Sequence, residues 1–437
     1  MLTAFGRAFK TPDLRSKLLF TLGIIVLFRL GSHVPTPGID YAKVQQCLAG
    51  ANNTNGFLGL VNLFSGGALL QLSIFALGIM PYITASIIIQ LLTVVIPRFE
   101  TLKKEGQAGQ TKMTQYTRYL TIGLAILQSS TLITFAQNPV QLFGNPQCTN
   151  ILVDNSMVTI LLMVLTMTAG TGLIMWLGEL ITDRGIGNGM SLLIFTSIAA
   201  RFPSSLWQIQ TQSGWSIFLG VILMGFFIIA LVVFVEQSQR RIPVQYAKRM
   251  VGRKVYGGTS TYIPLKVNMA GVIPVIFASS LLALPGLVAQ FNMRSDGTAP
   301  SWVNWIQVNL VKGDHPIYMV AYTALIIFFT FFYVSITFNP TEVADDMKKY
   351  GGFIPGIRAG RPTAEYLSYV LNRITVPGAI YLAVISLIPL IALVLVNANQ
   401  NFPFGGTSIL IVVGVGLETV KQIEAQLQQR HYEGFLR

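Results

Sequence analysis

The chain is poor in the groups that do chemistry. Its 437 residues include three histidines and two cysteines. No His/Cys cluster with metal-ligand spacing, no Walker lysine motif and no Ser/His/Asp set occurs, and His33, His315 and His431 are scattered over loops and a tail. Neither catalysis nor a cofactor is expected. Charge is scarce as well: 11% of residues are charged against 52% hydrophobic, with a mean hydropathy of +0.59. A surface that apolar would aggregate in water, which excludes a soluble domain. Inside the apolar runs ionisable groups nearly vanish. Arg29 sits close to the end of one run, and Glu179, Glu236 and Glu418 sit at the termini of others. Solute carriers and pumps usually bury such groups at mid-membrane, and no polar site of that kind is found here.

What the chain has instead is apolar runs from one end to the other. A span needs about 20 apolar residues, and ten are expected, near 18–35, 74–96, 119–136, 157–178, 186–203, 215–235, 269–291, 317–338, 375–397 and 407–422. The first follows Lys10, Arg15 and Lys17 and could pass for a signal peptide, but no small-residue cleavage site follows it, so it reads as a retained span. The fifth is short and carries Arg201 at its end. Of the 30 Lys and Arg, 25 fall on the N-terminal tail and the even-numbered connections, counting the C-terminal tail as the tenth. Cytoplasmic segments retain these residues, which places both termini and the loops 97–118, 236–268 and 339–374 in the cytoplasm. The same bias explains most of the net charge of +13 without a partner.

Ten spans divide into five and five, over residues 1–205 and 206–437. An odd number per half makes any internal repeat an inverted one. "GIMPYITASII" (78–88) matches "GVIPVIFASSL" (271–281) at Gly, Pro, Ile, Ala and Ser. Coincidence among residues common in membrane helices could give so short a match, but each segment falls in the second span of its half. Pro81 is expected to kink its helix, with Ile79 and Ile83 sharing the adjacent face. Ile276 takes the same place in the seventh span, Met190 and Ile194 share a face of the fifth, and Ile411 belongs to the tenth. Converging, these six would form an apolar collar that sheds water and offers ions no ligand. Ordinary packing of isoleucines in a bundle is the competing reading.

An apolar stretch of half a span's length, 57–72, precedes the second span and contains Ser65-Gly66-Gly67. Too short to cross, it must be sheltered by protein or lie as an interfacial helix on the external surface.

The blocks "NLFSGGALLQLSIFALGIMPYITASIIIQLLTVV", "KKEGQAGQTKMTQYTRY", "MWLGELITDRGIGNGMSLLIF", "RRIPVQYAKR", "IPLKVNMAGVIPVIFASS", "FNPTEVADDMKKYGGFIPGIRAGRPTAEYL" and "FGGTSILIVV" resemble the SecY family, central subunits of the bacterial protein-conducting channel. The resemblance runs from Leu18 to about Arg437. It implies an all-α polytopic fold of ten transmembrane helices in two inverted halves around a central pore. It also implies a plug half-helix made by Leu60, Val61, Asn62, Leu63, Phe64, Ser65, Gly66, Gly67, Ala68, Leu69 and Leu70. The glycine pair would supply the soft backbone that a displaceable element needs. The family's pore ring falls on Ile79, Ile83, Met190, Ile194, Ile276 and Ile411; most members have isoleucine where this chain has Met190, an apolar and pliable substitute. Its lateral gate, between the second and third spans and the seventh and eighth, falls on Thr84, Gln128 and Asn268, though these polar groups could equally stitch neighbouring helices. Through that gate apolar signal sequences and membrane helices would pass into the membrane lipids.

The cytoplasmic loops form a second surface. Loop 236–268 interleaves Tyr246, Tyr256 and Tyr262 with basic residues, and the alternation in "RRIPVQY" and "TYIPLKV" suggests a short β-ribbon. Projecting basic loops suit a polyanion such as ribosomal RNA or an acidic protein face, while solvated topology charge is the plainer account of any single residue. The resemblance implies docking of the SecA ATPase or the ribosome at Arg240, Arg241, Lys248, Arg249, Arg253, Lys254, Arg358 and Arg361. It further implies a heterotrimer with SecE and SecG, in the bacterial plasma membrane, that conducts nascent polypeptides with energy supplied by the motor or by translation. Cys47 and Cys148 both fall in external, oxidising loops. They could form a disulfide if their Cα atoms lie within about 7 Å, or remain two free thiols.

Overall fold

The computed structural model describes Phe9 and residues 11–49, 65–137, 148, 151–246, 249–251, 254–256, 260–291, 300–311, 315–396 and 406–433. Helices stand at each of the ten expected positions. In the first half these are α1 (Pro12–Gly31), a short external helix α2 (Tyr41–Ala49), α3 (Met80–Val95), α4 (Pro97–Lys104), α5 (Gln107–Gln137), α6 (Met157–Arg184) and α7 (Gly189–Ala199). The second half contributes α8 (Phe202–Gln237), α9 (Ile273–Phe291), α10 (Ser301–Ile306), α11 (Pro316–Thr337), α12 (Pro340–Lys349), α13 (Arg361–Val396) and α14 (Gly406–Glu433). By length and composition, four helical stretches among the described residues can cross a membrane: Met157–Arg184, Gly214–Gln237, Pro316–Lys349 and Arg361–Ile388. Met80–Val95 with Pro97–Lys104 makes a fifth if that pair, bent by 100°, counts as one. The span expected at 186–203 is an 11-residue helix; at 1.5 Å per residue it covers roughly half of the hydrocarbon thickness.

Four of the helix starts follow one local rule. A capping side chain accepts the first free backbone N–H groups, and a proline, whose missing N–H costs nothing there, often sits in the first turn. Ser156 Oγ accepts from Thr159 N to begin α6. Asn188 Oδ1 accepts from Met190 N to begin α7. His315 Nδ1 accepts from Ile317 N before Pro316, and Asn339 Oδ1 accepts from Thr341 N before Pro340. Gly214, at φ +79°, breaks the long α8 where the sixth span was expected to begin.

Pro81 obeys the same rule and corrects the expected kink. The backbone from Ser65 to Ile79 runs in turns, and α3 starts at Met80, so Pro81 occupies its first turn. The second span therefore begins six residues later than expected. The cause is Gly78, held at φ +56°, a conformation that ends one backbone path and lets the helix begin afresh. The aligned segment repeats this step for step: Gly271 stands at φ +61°, and α9 begins at Ile273 with Pro274 next.

β1 (Gln239–Tyr246) pairs antiparallel with β4 (Ser260–Lys266), Gln239 opposite Lys266 and Gln245 opposite Ser260. β2 (Arg249–Val251) and β3 (Lys254–Tyr256) make a second small ribbon between them. The other edge of β1 pairs with β5 (Gly352–Phe353), so the loops 236–268 and 339–374 share one three-stranded sheet. Ile242, Val244 and Leu265 turn inward from that sheet and pack on Met347 of α12, Ile354, and Leu367 and Val370 of α13.

Two larger apolar cores fill the helical body. One is built from residues of the first half, from Ile24 to Ile198, and takes in Ile276 and Ile411 as its buried members from the second. The other joins α8, α9, α11, α13 and α14. The two halves meet at α9 and α14.

Candidate functional site

The meeting point holds the expected collar residues. Ile79 is 1% exposed and Ile411 2% exposed, and Ile194 and Ile276 are buried with them in one cluster, against which the partly buried Ile83 packs. They arrive there by different routes. Ile79 is the last residue before α3, Ile83 lies one turn on, and Ile83 N donates to Ile79 O at 3.1 Å. Ile276 lies in the first turn of α9, Ile194 in mid-α7, and Ile411 near the start of α14. Met190 is buried but outside this cluster. Its thioether is turned toward the bare backbone of Gly178 in α6, which leaves the side chain room. Three residues that periodicity did not single out join the cluster: Val272, which aligns with Ile79 in the internal repeat, and Val412 and Val415 of α14. The alignment itself carried the signal for Val272.

Directly before Ile79 lies the segment Ser65–Leu72. Its side chains at Ser65, Ala68, Leu69, Leu70 and Leu72 are buried, and it does not lie out on a surface. Ser65 Oγ accepts from Leu69 N at 3.1 Å, and Gly66, Gly67 and Leu72 all adopt positive φ. At its far end Thr36 donates both its backbone N–H and its hydroxyl to Leu72 O, at 3.1 and 2.8 Å. At its near end Arg29 Nη1 donates to Gly66 O at 3.0 Å. The expected plug residues Leu60, Val61, Asn62, Leu63 and Phe64 lie outside the described residues.

The three polar seam residues do not join one another: among the described residues, no hydrogen bond links Thr84, Gln128 and Asn268. Thr84 donates to Met80 O within its own helix, and Gln128 is partly buried on α5. Asn268 is 3% exposed. Its Nδ2 donates to Glu236 Oε1 at 2.6 Å and to Gly271 O at 3.1 Å, which ties the end of α8 to the start of α9. The reading of Asn268 as a stitch between neighbouring elements describes this arrangement.

In the three-stranded sheet Arg240 and Arg241 are exposed on β1, with the Arg241 guanidinium 4.8 Å from the centre of the Tyr262 ring on β4. Arg249 and Lys254 fall on the β2–β3 ribbon, while Lys248 and Arg253 lie outside the described residues. Arg358 is exposed, with its carbonyl bound by Thr363 Oγ1. Arg361 is also exposed and pairs with Glu365 at 3.0 Å. The loop carrying Arg358 is thereby fastened to the first turn of α13.

Cys47 of α2 and Cys148 are joined as a disulfide, with Cα atoms 5.5 Å apart. Both are buried against the first core. Asp40 N donates to Ile151 O and Val153 N to Gly38 O, so the bridge sits beside a run of backbone bonds between the same two loops.

Buried apolar side chains drawn from both halves into one cluster, which also takes in the sheltered Ala68–Leu72 stretch, suit a membrane channel-like protein of the helical class. The SecY family profile matches residues 73–420, and the chain belongs to the SecY family. The chain is 69% identical to the protein translocase subunit SecY of Streptomyces galbus, over the full length of both. It is 59% identical to that of Mycobacterium tuberculosis, strain CDC 1551 / Oshkosh, again over both full lengths. Its fold is similar to that of a solved protein-conducting channel, with a TM-score of 0.62 at 18% identity over 94% of this chain and 91% of that one. It also resembles Sec61 in the canine ribosome–channel complex, with a TM-score of 0.60 at 18% identity and the same coverage.

Proposed function

We propose that this chain is the conducting subunit of a protein translocase, passing unfolded secretory polypeptides across the plasma membrane. It would release apolar helices sideways into lipid between α3–α5 and α9–α11. The observation that carries the reading is the burial of Ile79, Ile194, Ile276 and Ile411, with Ile83 packed against them, in one apolar cluster that draws on both halves. Such a ring gives way to any extended chain because it asks for no chemical partner, yet it solvates ions poorly. The buried Ser65–Leu72 segment, continuing back to Leu60, acts as the plug on its external side. The matching Gly78–Pro81 and Gly271–Pro274 steps suit two inverted halves, residues 1–205 and 206–437. Passive conduction needs an external energy source. The cytoplasmic sheet with Arg240, Arg241, Arg358 and Arg361 is the docking face for SecA or a translating ribosome, SecE and SecG complete the complex, and both termini are cytoplasmic.

The test is reconstitution of the chain with SecE and SecG in liposomes, addition of SecA, ATP and an unfolded secretory precursor, and measurement of the protease-protected precursor. Protection that depends on both the chain and ATP is expected. Absence of protection, together with uptake of a small solute, would replace the channel with a carrier.

A further inference from the structure

We propose that Arg29 and Arg201 form a catch on the Gly66–Gly67 turn, which holds the Ser65–Leu72 segment in its seat and so sets how readily an incoming signal sequence opens the channel. This rests on the plug reading above.

Arg29 lies in the last turn of α1, and Arg201 is the N-cap residue of α8. They reach the same turn from different elements. Arg29 Nη1 donates to the Gly66 carbonyl. Arg201 Nε lies 3.9 Å from the point where a Cβ on Gly67 would stand. Both guanidinium groups thus lie against the same two-residue turn. A partly buried guanidinium needs oxygen acceptors close by, and the Gly66 carbonyl supplies one to Arg29. Removing Arg29 takes the side-chain donor from that carbonyl and loosens the turn at this end.

The seat is tight at this end. A methyl on Gly66 would stand 3.1 Å from Arg29 Nη1 and 3.2 Å from Ser197 Cα, on a backbone at φ +68° that side chains rarely adopt. At the opposite end the segment is bound by backbone. Leu72 O takes two bonds from Thr36, Ser73 pairs with Pro35, and Ile74 N donates to Val34 O. Displacement therefore begins at Gly66–Gly67 and swings about Leu72–Ile74. The glycine pair is where the segment lets go.

The experiment uses the complete complex in liposomes with Leu70→Cys as a reporter, labelled from outside with a membrane-impermeant maleimide. The bridged Cys47–Cys148 pair is silent and shows that the external region is folded. Arg29→Leu is expected to raise the labelling rate about tenfold, the factor that one charge-assisted hydrogen bond sustains, and Arg29→Lys to recover most of the protection. Arg201→Leu is expected to raise it severalfold. Gly66→Ala, which keeps both arginines but crowds the turn, should mimic Arg29→Leu. Labelling at the parent rate in Arg29→Leu and Gly66→Ala overturns the catch, and an unchanged rate in Arg201→Leu alone removes that residue from it. Deletion of residues 60–72 is the separate control: a deletion that leaves the resting ion leak unchanged overturns the plug reading, whatever the labelling rates show.

Discussion

At Cys47 and Cys148 a covalent tie closes a stretch of chain with a sequence separation of 101. A crosslink of that length removes unfolded-chain entropy worth about 4–5 kcal/mol in the loop-closure model, with native strain subtracting from it. Cys47→Ser is expected to lower the thermal midpoint in detergent, read by circular dichroism, and alkylation of unreduced protein should modify neither cysteine. Two modified thiols in folded protein would remove the bridge. The sequence left the pairing of the two cysteines open, and deciding it needed only a distance. Met190 was different. Its place on the collar face followed from its spacing to Ile194, but an unbranched thioether can turn toward whichever neighbour leaves space, and Gly178 leaves it. Arg29 carried no periodic signal either, since what matters about it is the Gly66 carbonyl it approaches across 37 positions of sequence.

Among the elements, α3 and α9 show why a proline in an apolar run can be misread. Inside a helix proline kinks; after a glycine at positive φ it starts one. Periodicity alone does not separate these cases, whereas the repeated Gly-x-x-Pro in both halves does once the two are laid side by side. The β1–β4 ribbon was legible from alternation. β5 was not, because two residues, one of them glycine, carry no pattern, and their pairing partner lies more than a hundred positions away. Close helix contact was equally hidden: the Cα of Gly189 in α7 faces the carbonyl of Gly178 in α6, and a methyl there would collide with backbone. Gly189→Ala is expected to destabilise the fold by about 1–3 kcal/mol, the usual cost of overpacking, measured as a lowered thermal midpoint. An unchanged midpoint would show that the two helices can separate freely. At the α8–α9 junction, Asn268→Leu strips the Glu236 carboxylate of its amide partner. Export of a precursor with a weakly apolar signal should then change relative to one with a strong signal, and equal effects on both would deny Asn268 any part in gating.

At the scale of the whole molecule, a stimulus at the proposed docking loops would have to reach the proposed collar. Arg358 is exposed on a loop fastened to α13 by Thr363, and its replacement by Glu reverses charge without touching a core. Arg358→Glu is expected to weaken SecA binding and SecA-driven export together, by roughly tenfold if the residue meets an acidic partner. Binding at the parent level would return it to plain topology charge. Charge and alternation marked the two loops in the sequence, but not that they are one body.

That union has a mechanical consequence. β1 continues from α8, β4 leads into α9, and β5 lies between α12 and α13, so a single hydrogen-bonded brace spans four helix ends of one half. No comparable strap among the described residues crosses to the other half. A push delivered anywhere on the brace is shared among those helices and arrives at the boundary between halves as one displacement, at the line where Ile276 and Ile411 face Ile79.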